Sequence, residues 1–188
     1  SGAKANDLLV VTGDLGGAYM GLQILEREHS VYLANPNMQP EMEGYDYILE
    51  RQLKPEARTD VKKILEELDI KPTSMMDVSD GLASEILHLS DQSKVGFRLY
   101  EEKIPMDELT ISASDELNLN PVMAALSGGE DYELLFTISP QDFDKIKNHP
   151  DFTIIGHTVE KDQGNYMVLR GSGELSEITA QGWDAFLK

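Results

Sequence analysis

Two hydrophobic rhythms alternate along this chain, and they limit its fold more than any other feature. Short β-rich runs recur at "DLLVVTG" (7–13), "SMMDV" (74–78), "VGFRLYEE" (95–102), "DYELLFTI" (131–138) and "FTIIGHTV" (152–159). Between them lie segments whose apolar residues fall three and four apart, the spacing of one helix face. "GGAYMGLQILERE" (16–28) is read as helical from Met20, Leu22 and Leu25, and "DGLASEILHLSDQ" sets Leu82, Ile86 and Leu89 three and four apart. In "PEARTDVKKILEELDI" (55–70), Pro55 is expected at a helix N-terminus, with Val61, Ile64, Leu65 and Leu68 on one face. Residues 109–127 read as mainly helical, and "SPQDFDKIKNH" (139–149) opens on a Ser139 cap with Pro140 in the first helical position. "FTIIGHTV" and "NYMVLRG" are expected to flank the hairpin-like turn "EKDQGN", and "NPNMQPEMEGYD" (35–46) to be a connection. Strands interleaved with helices bury their apolar faces by packing helices on a sheet. The expectation is one α+β domain over residues 1–188, a mixed sheet with packed helices.

At 188 residues such a domain buries roughly two-thirds of its unfolded surface, enough for a sizeable core. Its 34 acids against 16 bases give a net charge of −18, which repels phosphate backbones and anionic lipid surfaces, so neither nucleic acid nor membrane is expected as a partner. No cysteine is present, so disulfides and thiolate chemistry are excluded and any metal must be held by oxygen or imidazole. No apolar run approaches the ~20 residues of a membrane span, and "SGAKANDLL" lacks the apolar core of a signal peptide. A cytoplasmic protein is expected. The start at "SGAK", without Met, suggests a processed or cut piece.

Three stretches carry candidate chemistry. "SMMDVSDGLASEI" (74–86) places Asp77, Ser79 and Asp80 where a strand gives way to a helix. If Ser79 or Asp80 caps that helix, free backbone N–H groups offer an anion site while the two aspartates supply hard oxygens for Mg²⁺. The plainer reading is a capped helix with acids at its positive end. "LSGGEDYELLF" (126–136) sets two glycines before Glu130 and a buried strand, which suits either close approach to a ligand or a tight turn. "TAQGWDAFLK" holds the only tryptophan, Trp183, which either closes a core or stacks on a flat or cationic ring. "TGDLGG" (12–17) lacks the Lys and spacing of a P-loop and reads as a structural turn, with no ligand role for Asp14 or Gly17. The four histidines are scattered and none is assigned.

Taken in order, "VTGDLGGAYMGL", "MMDVSDGLASEI", "ALSGGEDYELLF" and "GWDAF" resemble the C-terminal domain of the thiamine-monophosphate kinases, within the aminoimidazole-ribonucleotide-synthetase superfamily. The resemblance implies α/β/α layers, partly ferredoxin-like, and transfer of the γ-phosphoryl group of ATP to thiamine monophosphate, with Mg²⁺ and no covalent enzyme intermediate. It implies Asp77 and Asp80 as Mg²⁺ ligands, Ser79 as a nucleotide contact, and Glu130 and Trp183 as substrate contacts. It assigns no catalytic acid or base. Members of that family are about twice as long; their N-terminal half brings aspartate-rich ATP and metal motifs and the dimer interface. No two aspartates are adjacent in this chain. The piece is therefore expected to be monomeric and inactive alone, with the full-length protein a homodimer. Other ATP-dependent members, of the purine or selenophosphate synthetase type, and a non-catalytic acidic metal-binding module remain alternatives.

Overall fold

The computed structural model describes residues 2–180. In chain order the elements are β1 (Leu8–Thr12), α1 (Gly17–Ala34), α2 (Asp46–Leu53), α3 (Asp60–Glu67), β2 (Ser74–Asp77), α4 (Leu82–Ser93) and β3 (Val95–Tyr100). There follow α5 (Glu108–Glu116), α6 (Pro121–Ser127), β4 (Leu134–Ile138), α7 (Phe143–Ile146), β5 (Phe152–Glu160), β6 (Asn165–Val168) and β7 (Leu175–Glu177). The strands form one mixed sheet in the order β2-β4-β1-β5-β3-β6-β7, in which only the β3–β6 pair is parallel. The α+β expectation is met.

Alternation along the strands divides the core between the two faces of the sheet. Leu9, Val11, Phe97, Leu99, Leu135 and Ile155 point to one side, against Leu82, Ile86 and Leu89 of α4. Val10, Phe136, Ile138 and Phe152 point to the other, against Val61 and Leu65 of α3 and Ile146 of α7. A third cluster, with Met20, Ile24, Ile48 and Leu49 at its centre, joins α1 to α2 and draws in Ala113 of α5 and Ala124 of α6. Helices thus cover the sheet on both faces.

Two local expectations are corrected, and one helix was not foreseen. Pro55 does not open a helix: α2 ends at Leu53 and α3 begins only at Asp60. The residue before a proline is pushed out of the helical region, so Pro55 helps to terminate α2. The α2 helix begins at Asp46, the last residue of the connection read at 35–46, and in its eight residues only Ile48 and Leu49 are buried, too short an apolar stripe to stand out along the chain. Finally, β5 and β6 make no hairpin, because β3 lies between them. A 3₁₀ turn over Lys161–Gln163 carries the chain across the start of β3, where Gly96 leaves room: a Cβ there would lie 2.4 Å from the Gly164 carbonyl oxygen.

Candidate functional site

The two glycine-bearing stretches meet at one end of the sheet. Antiparallel pairing sets Asp77, the last residue of β2, opposite Leu134. The ladder then runs past the strand ends: Val78 N–H donates to Glu133 O at 2.7 Å, Tyr132 N–H to Val78 O at 2.9 Å and Glu130 N–H to Ser79 O at 2.8 Å. Two glycines let the backbones come this close. Gly129 has φ +69°, and a Cβ there would lie 2.5 Å from Ser79 O; Gly81 has φ +97°, and its Cβ would lie 2.6 Å from Leu126 O. The glycines of "SDGL" and "SGGEDYEL" are therefore the contact between the two motifs.

The expected cap is not formed. The N-cap of α4 is Gly81, with no side-chain bond, so Asp80 precedes the helix and does not lie in its first turn. Neither Ser79 nor Asp80 caps it. Instead Glu85 reaches back from within α4 and accepts the Asp80 N–H at 3.2 Å, and burial raises its carboxyl pKa. Released from capping, Asp77 and Asp80 are exposed, and Ser79 is half-buried. Glu130 is exposed beside them, and its carboxylate accepts from the Tyr132 hydroxyl at 3.2 Å. That bond, with the charges of Glu130, Asp77 and Asp80, raises the Tyr132 phenol pKa. The structure thus brings Asp77, Ser79, Asp80 and Glu130 to one junction, while Trp183 lies outside the described residues. Among the described residues no group of three or more His, Cys, Asp or Glu side chains is disposed to hold a metal. Two carboxylates here suit a hard cation that keeps most of its water. Beside Gly128 a cleft of about 240 Å³ opens, lined in part by Tyr19, Asn120, Met123 and Ser127.

Sequence reasoning missed what lies beneath this junction. Glu130 and Tyr132 have φ of +62° and +54°, and the residues alternating with them, Asp131 and Glu133, turn inward and are each 3 % exposed. Glu133 accepts from Arg51 Nη1 at 2.9 Å, Arg58 Nη1 at 2.7 Å and the Thr12 hydroxyl. Asp131 accepts the N–H groups of Gly16 and Ala18 at 2.8 and 3.3 Å, and so does for α1 what its own N-cap, Gly16, cannot. Burial raises the Asp131 pKa to about 6 despite these bonds and the nearby Arg51. Arg51 Nη2 donates to the carbonyl oxygens of Asp14 and Asp131, both at 3.1 Å, and Tyr47 donates to Asp14 Oδ2. Among the described residues, buried Asp14 Oδ1 and Arg51 Nε have no hydrogen-bond partner. "TGDLGG" is indeed a turn, but one welded to "GGEDYEL" by buried charge. The available signal was the pair of acids at alternate positions leading into an apolar strand.

This sheet, with its two interlocked glycine motifs, is that of a known family: the chain belongs to the one described as AIR synthase related protein, C-terminal domain, which matches residues 4–168. Within it, similar proteins are thiamine-monophosphate kinases. The one from Aquifex aeolicus is 30% identical over 186 residues, covering 98% of this chain and 53% of that protein. That from Escherichia coli K12 is 32% identical over 192 residues, covering 99% and 54%. The solved structure of AaThiL complexed with AMPPCP and TMP superposes with a TM-score of 0.77 at 29% identity, over 99% of this chain and 53% of that one. A hydrogenase maturation protein, HypE of E. coli, shares the fold alone, at 17% identity and a TM-score of 0.64. The chain spans about half the length of the curated relatives it matches. No described helix is long and apolar enough to cross a membrane.

Proposed function

We propose that this chain is the C-terminal half of an ATP-dependent kinase that converts thiamine monophosphate to thiamine diphosphate in the cytosol. One observation carries the reading: the acids of "DVSDGL" and the Glu130 of "SGGEDYEL" stand exposed at one junction, in a chain akin over nearly its whole length to thiamine-monophosphate kinases. Here Asp77 and Asp80 hold Mg²⁺, Ser79 contacts the nucleotide, and Glu130 binds the cationic substrate, with Trp183 as its aromatic partner. Bound Mg²⁺ supplies charge neutralisation at the transferring phosphoryl group.

The chemistry asks little else of these residues. The nucleophile is an oxygen of a phosphate monoester, whose second pKa is about 6, so it is already anionic near neutrality and needs no general base. What remains is positioning and electrostatics. An exposed carboxylate beside a thiazolium favours the cation, while the two aspartates would repel the phosphates unless a metal stands between them. A second half, carrying the nucleotide site and the dimer interface, belongs to this proposal. Calorimetric titration of the two-domain protein with thiamine monophosphate, followed by an assay for ATP-dependent formation of thiamine diphosphate, tests it. Saturable binding and turnover are expected; absence of specific binding would overturn it.

A further inference from the structure

We propose that Arg51 is a positioning residue, a clamp that sets the backbone from which Glu130 projects; its effect on substrate rests on the function proposed above. Arg51 lies on α2, far along the chain from both glycine turns, yet its guanidinium reaches both. Nη2 donates to Asp14 O in the "TGDLGG" turn and to Asp131 O in the "GGEDYE" turn, each at 3.1 Å, and Nη1 donates to the Glu133 carboxylate at 2.9 Å. A planar fork with several fixed donors can serve three acceptors at once, whereas an ammonium is a point charge. The carbonyl it holds belongs to Asp131, between two residues that adopt a left-handed backbone without being glycine. Such a conformation persists only where the surroundings impose it. On the outer side, the Glu130 and Tyr132 amides donate to Ser79 O and Val78 O, and the Tyr132 hydroxyl donates to the Glu130 carboxylate, a bond between the two exposed side chains that does not fix the backbone between them. On the inner side the constraint is Arg51 together with the Asp131 and Glu133 carboxylates. Arg58 supports Glu133 but has no bond to the turn backbone, so it does not duplicate the clamp.

The test separates the clamp from simple neutralisation of buried acids. Arg51→Lys keeps the charge and loses the fork; Arg51→Gln loses both. Amide hydrogen exchange of the 188-residue chain, without ligand, is read at Glu130 and Tyr132 and, for reference, at Leu135 and Phe136 inside β4. Both variants are expected to speed exchange at Glu130 and Tyr132 by about tenfold or more, the scale of losing a charge-assisted bond, while the β4 amides move far less. In the two-domain protein both should raise the KM for thiamine monophosphate by about tenfold with a much smaller change for ATP. Wild-type behaviour of Arg51→Lys would overturn the proposal, because charge alone would then suffice. So would uniform acceleration across β4, unchanged exchange at both turn amides, or loss of the fold by both variants, which would make Arg51 a folding requirement. If the two-domain protein binds no thiamine monophosphate, the functional reading fails while the exchange data still decide the clamp.

Discussion

Replacing Asp131 by Asn should change how stability depends on pH, and in a direction opposite to that of most aspartates. Its side chain is fully buried, and burial lifts its carboxyl pKa from an ordinary 3.8 to about 6. A carboxyl whose pKa is higher folded than unfolded binds its proton more tightly in the native state. The resulting stabilisation is fully present below the unfolded value near 4 and is lost as pH rises through about 6. A rise of about two pKa units corresponds to roughly 3 kcal/mol, an order-of-magnitude figure. The substituted amide keeps the shape and one acceptor for the Gly16 and Ala18 N–H groups but does not titrate. The stability of the native chain minus that of Asp131→Asn should therefore fall by a few kcal/mol between pH 4 and pH 7. Urea unfolding of both chains, followed by circular dichroism at several pH values, measures this difference, in which the chain's other acids largely cancel. A difference that rises with pH would refute the reasoning. It would mean that the two backbone N–H groups and Arg51 outweigh desolvation and hold the carboxylate charged.

Three further outcomes are expected. Gly129→Ala should lower the urea midpoint, corresponding to at least about 1–2 kcal/mol for a left-handed alanine, with a further contribution from a Cβ that would lie 2.5 Å from Ser79 O; an unchanged midpoint would show that the two motifs part easily. Asp77→Asn or Asp80→Asn in the two-domain protein should abolish most turnover while the melting temperature holds, since both side chains are exposed; near-normal rates for both at limiting Mg²⁺ would remove them as ligands. The 188-residue chain alone should be monomeric by light scattering and form no ADP or thiamine diphosphate, since a misplacement of about 1 Å already costs on the order of 10²-fold; turnover within about tenfold of the two-domain protein would contradict that.

The strands and most helices were legible because their apolar periods are local properties of ten or so residues. The neighbours of each strand were not. β3 lies between β5 and β6, and the close approach of the Gly164 carbonyl to Gly96 that goes with this order is not legible along the chain, where Gly96 looks like any turn-former. At the site, each glycine motif stood out alone, but nothing local said that Gly129 packs against Ser79. The buried charges were hardest to foresee: Asp131 and Glu133 resemble a solvated face until Arg51 and Arg58 arrive from another part of the sequence. Ser79 and Asp80 misled for the same reason, because the capping role they advertise is taken by Gly81 and Glu85.

The placement of β1 also bears on how the chain is made. Leu8, which leaves a ribosome long before the strands it pairs with, lies opposite Ile138 on one side and His157 on the other. At roughly 5–20 residues per second, this interior strand waits on the order of ten seconds for either neighbour. During that interval "LLVVT" is an unpaired apolar strand, the kind of segment that associates wrongly with other chains. Slow elongation or a crowded nascent pool should therefore harm this fold through β1, and a chaperone that holds that strand should improve its yield.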